Sequence, residues 1–154
     1  MPELVTPLKI VHILAAVVAL GSNVTYAFWL RWAGRDRDRL GFALDGIGRL
    51  DRTFANPAYI LLLLTGVGMV LTGAFRFEQF WIAAALALYV LTAVIGITLY
   101  APTLRRQREE AARDPSSPAY AAVERRSTLL GVATIAIVVV IVILMVAKPD
   151  PLRG

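Results

Sequence analysis

The sequence predicts an all-α polytopic membrane protein, four transmembrane helices in one antiparallel bundle with both termini outside. Three observations predict it. Of 154 residues, 58% are hydrophobic and only 18% charged, with a mean hydropathy of +0.66, too apolar for a soluble domain of this size. Four charge-poor stretches, about residues 8–32, 58–75, 80–101 and 128–147, each suffice to cross a hydrocarbon core of about 30 Å, which takes about 20 helical residues. Twelve of the sixteen Lys and Arg residues lie at the end of the first stretch (Arg31), between the first and second or between the third and fourth, leaving Lys9, Arg76, Lys148 and Arg153 for the other side. By the positive-inside rule both long connections, about 33–57 and 102–127, are cytoplasmic in an inner membrane crossed several times.

The first stretch reads as a retained span. A secretory signal has a basic head and an apolar core of about 7–15 residues. Here "MPELVTP" carries no Lys or Arg, and the apolar run continues into the bulky "AFWLRW". In the connection that follows, Leu40, Ala43, Leu44, Ile47 and Leu50 recur at helical spacing among charges, predicting an amphipathic segment that lies on the membrane surface or prolongs the second span. Gly41, Gly46 and Gly48 oppose a helix there. "NP" at Asn56–Pro57 is a helix start. The turn "RFEQF" separates the second and third spans, and "DPSSP" breaks the second long connection, fixed by Pro115 and Pro118. The plan of span, basic connection, span and short turn occurs twice, as topology without a residue-level repeat.

In lipid, helices meet where small residues let backbones approach and where polar groups need partners. The first span places the chain's one histidine, His12, on a stripe with Ala16, Ala19 and Asn23, Tyr26 falling nearby, while Val11, Leu14, Val17, Val18, Val24 and Phe28 cover the other side. His12 and Asn23 are about 16 Å apart along the axis at about 1.5 Å per residue, so they share a face but not one small ligand. In the second span Thr65, Met69 and Thr72 form a stripe beside Gly66 and Gly73. Tyr89, Thr92, Gly96 and Tyr100 line the third, and Ser127, Gly131 and Thr134 the fourth, which then runs on as "IAIVVVIVILMVA" toward lipid or a partner.

Composition and motifs exclude several functions. With no cysteine, disulfides and thiolate metal sites are impossible. No span carries Asp, Glu, Lys or Arg at its centre, which argues against a proton-coupled pump. There is no HExxH helix, phosphate-binding glycine loop or Ser/His/Asp arrangement, so no catalytic residue is assigned and the chain leans away from being an enzyme. The arginines are interleaved with acids between spans, where they act as topology signals and not as a nucleic-acid surface.

The start "PLKIVHILAAVVALGSNV", the two-hairpin layout and "LLLLTGVGMVLTG" resemble the uncharacterised bacterial family of predicted integral membrane proteins called domain of unknown function 2269. A lysine followed by apolar residues and a histidine is also remotely similar to HemJ-type protoporphyrinogen oxidases and copper-resistance D-type membrane proteins. That remote resemblance implies a four-helix core with His12 facing its interior near a porphyrin. With one histidine in the chain, such a haem would be held by His12 with Met69, with a partner's residue, or with an open position.

Three functions follow. The first is a non-enzymatic accessory or homo-oligomeric subunit of the bilayer. The second is a redox protein that binds haem, porphyrin or quinone through His12. The third is an oligomeric transporter or channel for a small solute, lined by Asn23, Thr65, Thr72, Tyr89 and Thr92. For His12 itself a structural hydrogen bond, a ligand contact and haem ligation all remain open.

Overall fold

The computed structural model describes residues 2–149, so Arg153 lies outside the described residues. After a short 3-10 turn, Pro2–Leu4, six helices follow. They are α1 (Val5–Ala33), α2 (Arg37–Leu50), α3 (Asn56–Leu71), α4 (Phe80–Ile95), α5 (Ala101–Arg113) and α6 (Pro118–Ala147). No strand occurs among the described residues. The helices α2 and α3 are halves of one 35-residue rod joined through a π-helical turn, Asp51–Ala55, and α4 and α5 are halves of a 34-residue rod joined through another, Gly96–Tyr100. With α1 and α6 they make four helices long and apolar enough to cross a membrane.

Both wide turns have one cause. Pro57 and Pro102 each sit second in the helix that follows, and proline has no N–H to donate while its ring crowds the carbonyl four residues back. The chain widens to relieve that crowding. The amides just before the prolines, on Asn56 and Ala101, donate to Asp51 O and Gly96 O, five residues back.

The connections expected as loops are therefore mostly helix. At about 1.5 Å per residue the two rods measure about 50 Å, roughly 20 Å more than a hydrocarbon core needs. The charged halves α2 and α5 are this excess, and together with the end of α1 and the start of α6 they build a helical head at the basic end of the molecule. The three glycines of α2 do not prevent it, because its apolar face finds a partner and tertiary burial outweighs propensity.

The head holds the larger hydrophobic core. Leu40, Ala43, Leu44 and Ile47 of α2 pack with Leu104 and Ala111 of α5, Tyr26 and Ala33 of α1 and Tyr120 of α6. Leu40, Leu44 and Tyr120 are fully buried, and burying such a side chain away from water stabilises by about 1.5–3 kcal/mol. Arginines of the first half reach across to the second. Arg35 donates to Pro115 O and to Glu124 Oε2 at 3.0 Å, its guanidinium standing 5.0 Å above the Tyr120 ring, and Arg37 donates to Ala112 O. In return Arg108 of α5 donates to Leu44 O at 2.7 Å and pairs with Asp45 at 3.0 Å. Deep between α5 and α6, Ser127 donates to the fully buried Gln107 at 2.6 Å.

Caps delimit the head. Asp36 accepts from Arg39 N at the start of α2, and Ser117 accepts from Tyr120 N at the start of α6, where Pro118 occupies the first turn. At the opposite end α3 stops at Leu71, and two residues on Gly73, with a φ of +77°, lets the chain reverse. There Lys148 rests over the rings of Phe75 and Trp81, which meet edge to face.

The membrane half is packed differently. The helix α1 lies along α3, where Ala15, Ala19 and Ala58 bring the backbones together, and α4 lies along α6. The helix α1 also touches α6, with Tyr26, Ala33 and Tyr120 in one cluster of the head, so the order of neighbours is α3, α1, α6, α4. The ends of that series do not meet: no Cα of α3 comes within 8 Å of a Cα of α4, although a short turn joins them. A seam therefore runs between α3 and α4.

Candidate functional site

The stripe inferred on α1 faces inward, with Ala19 and Tyr26 buried and His12, Ala16 and Asn23 half-buried, and Ala15, outside that stripe, is buried with it. Its polar members meet three separate partners. Nearest the N-terminus, His12 Nδ1 lies 2.8 Å from Thr65 Oγ1 of α3. The imidazole rests on Gly66, where an added Cβ would stand 3.3 Å from His12 Cε1, so the missing side chain is what admits the ring.

Counting hydrogens assigns the tautomer. Thr65 has one hydroxyl proton, and its Oγ1 lies 2.5 Å from Leu61 O, an acceptor that must receive it. His12 Nδ1 is then the donor to Thr65, and the neutral ring carries its lone pair on Nε2. Nε2 makes no hydrogen bond among the described residues and is not sealed off from its surroundings. His12 is thus anchored through one nitrogen and presents the other as an acceptor, the way ligating histidines are held.

About three turns further along α1, Asn23 donates to Tyr59 Oη at 2.7 Å and to Ala19 O at 2.8 Å. From α4, Tyr89 donates to Tyr59 O at 2.9 Å, which bridges the seam. Nearest the head, Tyr26 donates to Asp51 Oδ1 at 2.6 Å. Tyr100 packs against the same cluster as Tyr26 and lies beside Gly131 of α6.

The remaining expected residues stay apart from these groups. Thr72 donates to Met69 O and Thr92 to Leu88 O, each within its own helix. The Met69 side chain is buried one turn beyond Thr65. Asn23, Thr65, Thr72, Tyr89 and Thr92 therefore do not form one continuous lining. Among the described residues no group of three or more His, Asp or Glu side chains could hold a metal ion. Toward haem, the donor set fits a single imidazole nitrogen, His12 Nε2.

Sequence reasoning passed over Asp51, Tyr59 and Gln107, and read Arg108 only as a topology signal. The signal for Asp51 lay in its spacing to Pro57, which puts it in the distorted turn, and its partner Tyr26 was already on the inward stripe of α1.

A family profile described as predicted integral membrane protein, domain of unknown function 2269, matches residues 6–149, nearly the whole chain. The chain belongs to this family. It is an integral membrane protein with four candidate spans, and the matched range takes in the membrane half and the head alike. No curated protein and no solved structure matches it.

Proposed function

We propose that this member of the family is a non-enzymatic membrane subunit that assembles side by side with a second copy through α6, its basic head on the cytoplasmic side of an inner membrane. The observation that carries the reading is a stripe on α6. Leu129, Val132, Ala136, Val139, Ile143 and Val146 are all exposed and alternate by three and four residues, the spacing that keeps one face toward a neighbouring helix. The charge asymmetry supports the orientation. With no native cysteine, single-cysteine variants give a clean test. Val139→Cys and Ile143→Cys are expected to cross-link into dimers in membranes, and purified protein to show a dimer mass by light scattering. A monomer that cross-links at neither position refutes the reading, and cross-links only to a different chain replace the second copy by a larger complex.

A second reading is favoured by one specific observation, the free Nε2 of His12. It is a fit for haem iron or for the hydroxyl of a quinol approaching from the lipid side. When bound, a haem would supply electron transfer, and His12, oriented by its hydrogen bond to Thr65, would hold it through Nε2. Protein made with haem available is expected to show a Soret band that His12→Ala removes; a colourless protein sinks the haem version.

A further inference from the structure

We propose that the groove between α5 and α6 is a headgroup site for an anionic phospholipid of the leaflet at the basic end. The groove, about 230 Å³, is lined by Thr103, Arg106, Ala119, Ala122, Val123 and Arg126. Its position follows from the fold: Thr103 and Arg106 come one turn after the apolar part of the second rod, and Arg126 just before the apolar part of α6, so the groove opens where the helices leave the hydrocarbon.

The lining divides by chemistry. Arg106 and Arg126 are exposed and make no ion pair or hydrogen bond among the described residues, whereas Arg35, Arg37 and Arg108 are all engaged within the head. Two arginines lining one concavity match a phosphate diester, which accepts forked N–H donors and carries negative charge. Thr103 adds no donor, because its hydroxyl proton goes to Leu99 O at 2.6 Å. Ala119, Ala122 and Val123, on the head side of Arg126, leave a floor of small side chains that gives a headgroup room to enter. A free phosphate ion would use the arginines alone. A phospholipid is held in addition by its acyl chains in the adjoining hydrocarbon, and basic pockets between spanning helices at the cytoplasmic face suit acidic headgroups.

The test uses the full chain in detergent, titrated with phosphatidylglycerol and separately with phosphatidylcholine, bound lipid being counted by native mass spectrometry. The wild type is expected to prefer phosphatidylglycerol. Arg106→Gln with Arg126→Gln is expected to lower its affinity on the order of tenfold to thirtyfold, the effect of two basic groups at an anionic surface. Arg105→Gln with Arg125→Gln removes the same charge beside the groove and is expected to keep the preference. Ala122→Leu fills the floor with all arginines intact and is expected to weaken phosphatidylglycerol binding as well. Equal losses in the two arginine pairs would show only a diffuse basic surface and overturn the site. An unchanged groove pair overturns it too, as does inorganic phosphate displacing the lipid completely at equal concentration.

Discussion

Removing one oxygen from Tyr26 tests how the membrane half is tied to the head. Tyr26→Phe keeps the ring, which is 3% exposed and packed in the head cluster, so the change deletes a hydrogen bond and little else. That bond is short, 2.6 Å, and Asp51 accepts no other side-chain hydrogen bond among the described residues. A hydrogen bond to a charged group contributes about 1.5–3 kcal/mol, and membrane interiors bring single hydrogen bonds down toward about 0.6 kcal/mol because the separated helices find other partners. Asp51 sits where the rod enters the head, between these regimes, so the expected loss is about 1.5 kcal/mol, roughly tenfold in the unfolding equilibrium. Reversible unfolding in mixed micelles measures it, with Asp51→Ala and the double variant completing a cycle. A coupling energy below about 0.3 kcal/mol, the scatter expected of independent sites, would refute the tie.

Other substitutions probe the remaining structure. Leu44→Ala, at a fully buried position of the head, is expected to cost about 2–5 kcal/mol, whereas Phe42→Ala, 74% exposed on the same helix, should change stability by under about 0.5 kcal/mol; thermal denaturation in detergent compares them. Gly48→Leu meets the Arg108 guanidinium, since even a Cβ there would lie 2.8 Å from Nη2, and displacing Arg108 from Leu44 O is expected to cost about 1–3 kcal/mol in the same assay. Orientation is read by labelling intact cells with a membrane-impermeant maleimide. Phe77→Cys, in the short turn, should react at once and Phe42→Cys, in the head, only after lysis; the reverse pattern would invert the topology.

The spans were legible because their signal is length and apolarity, and inward faces because small and polar residues recur at helical spacing. Ala19, Thr65, Met69, Thr92 and Ser127 are all buried as those stripes indicate, and Val17 and Phe28 are exposed. What lay between the spans was harder to read. Leu40, Ala43, Leu44 and Ile47 announce an apolar face at helical period, but their cover comes from Leu104, Ala111 and Tyr120, more than fifty residues away, and no local pattern names a distant partner. Polar residues mislead for a related reason. Arg108 looks like one more topology signal until α2 presents Leu44 O and Asp45 to it. His12 could be placed on its face from spacing, but its tautomer depends on where the Thr65 proton goes, which only coordinates disclose.

The composition of the head has a consequence for biogenesis. Its core draws on Tyr26 to Ile47 from the first half of the chain and on Leu104 to Tyr120 from the second. The α1 and α3 pair can associate as soon as its two helices are inserted, while α2 still lacks the surface that covers it. Until α5 and α6 are synthesised, Leu40, Leu44 and Ile47 have only Tyr26 and Ala33 of α1 for cover. The head cannot close before both halves of the chain are made.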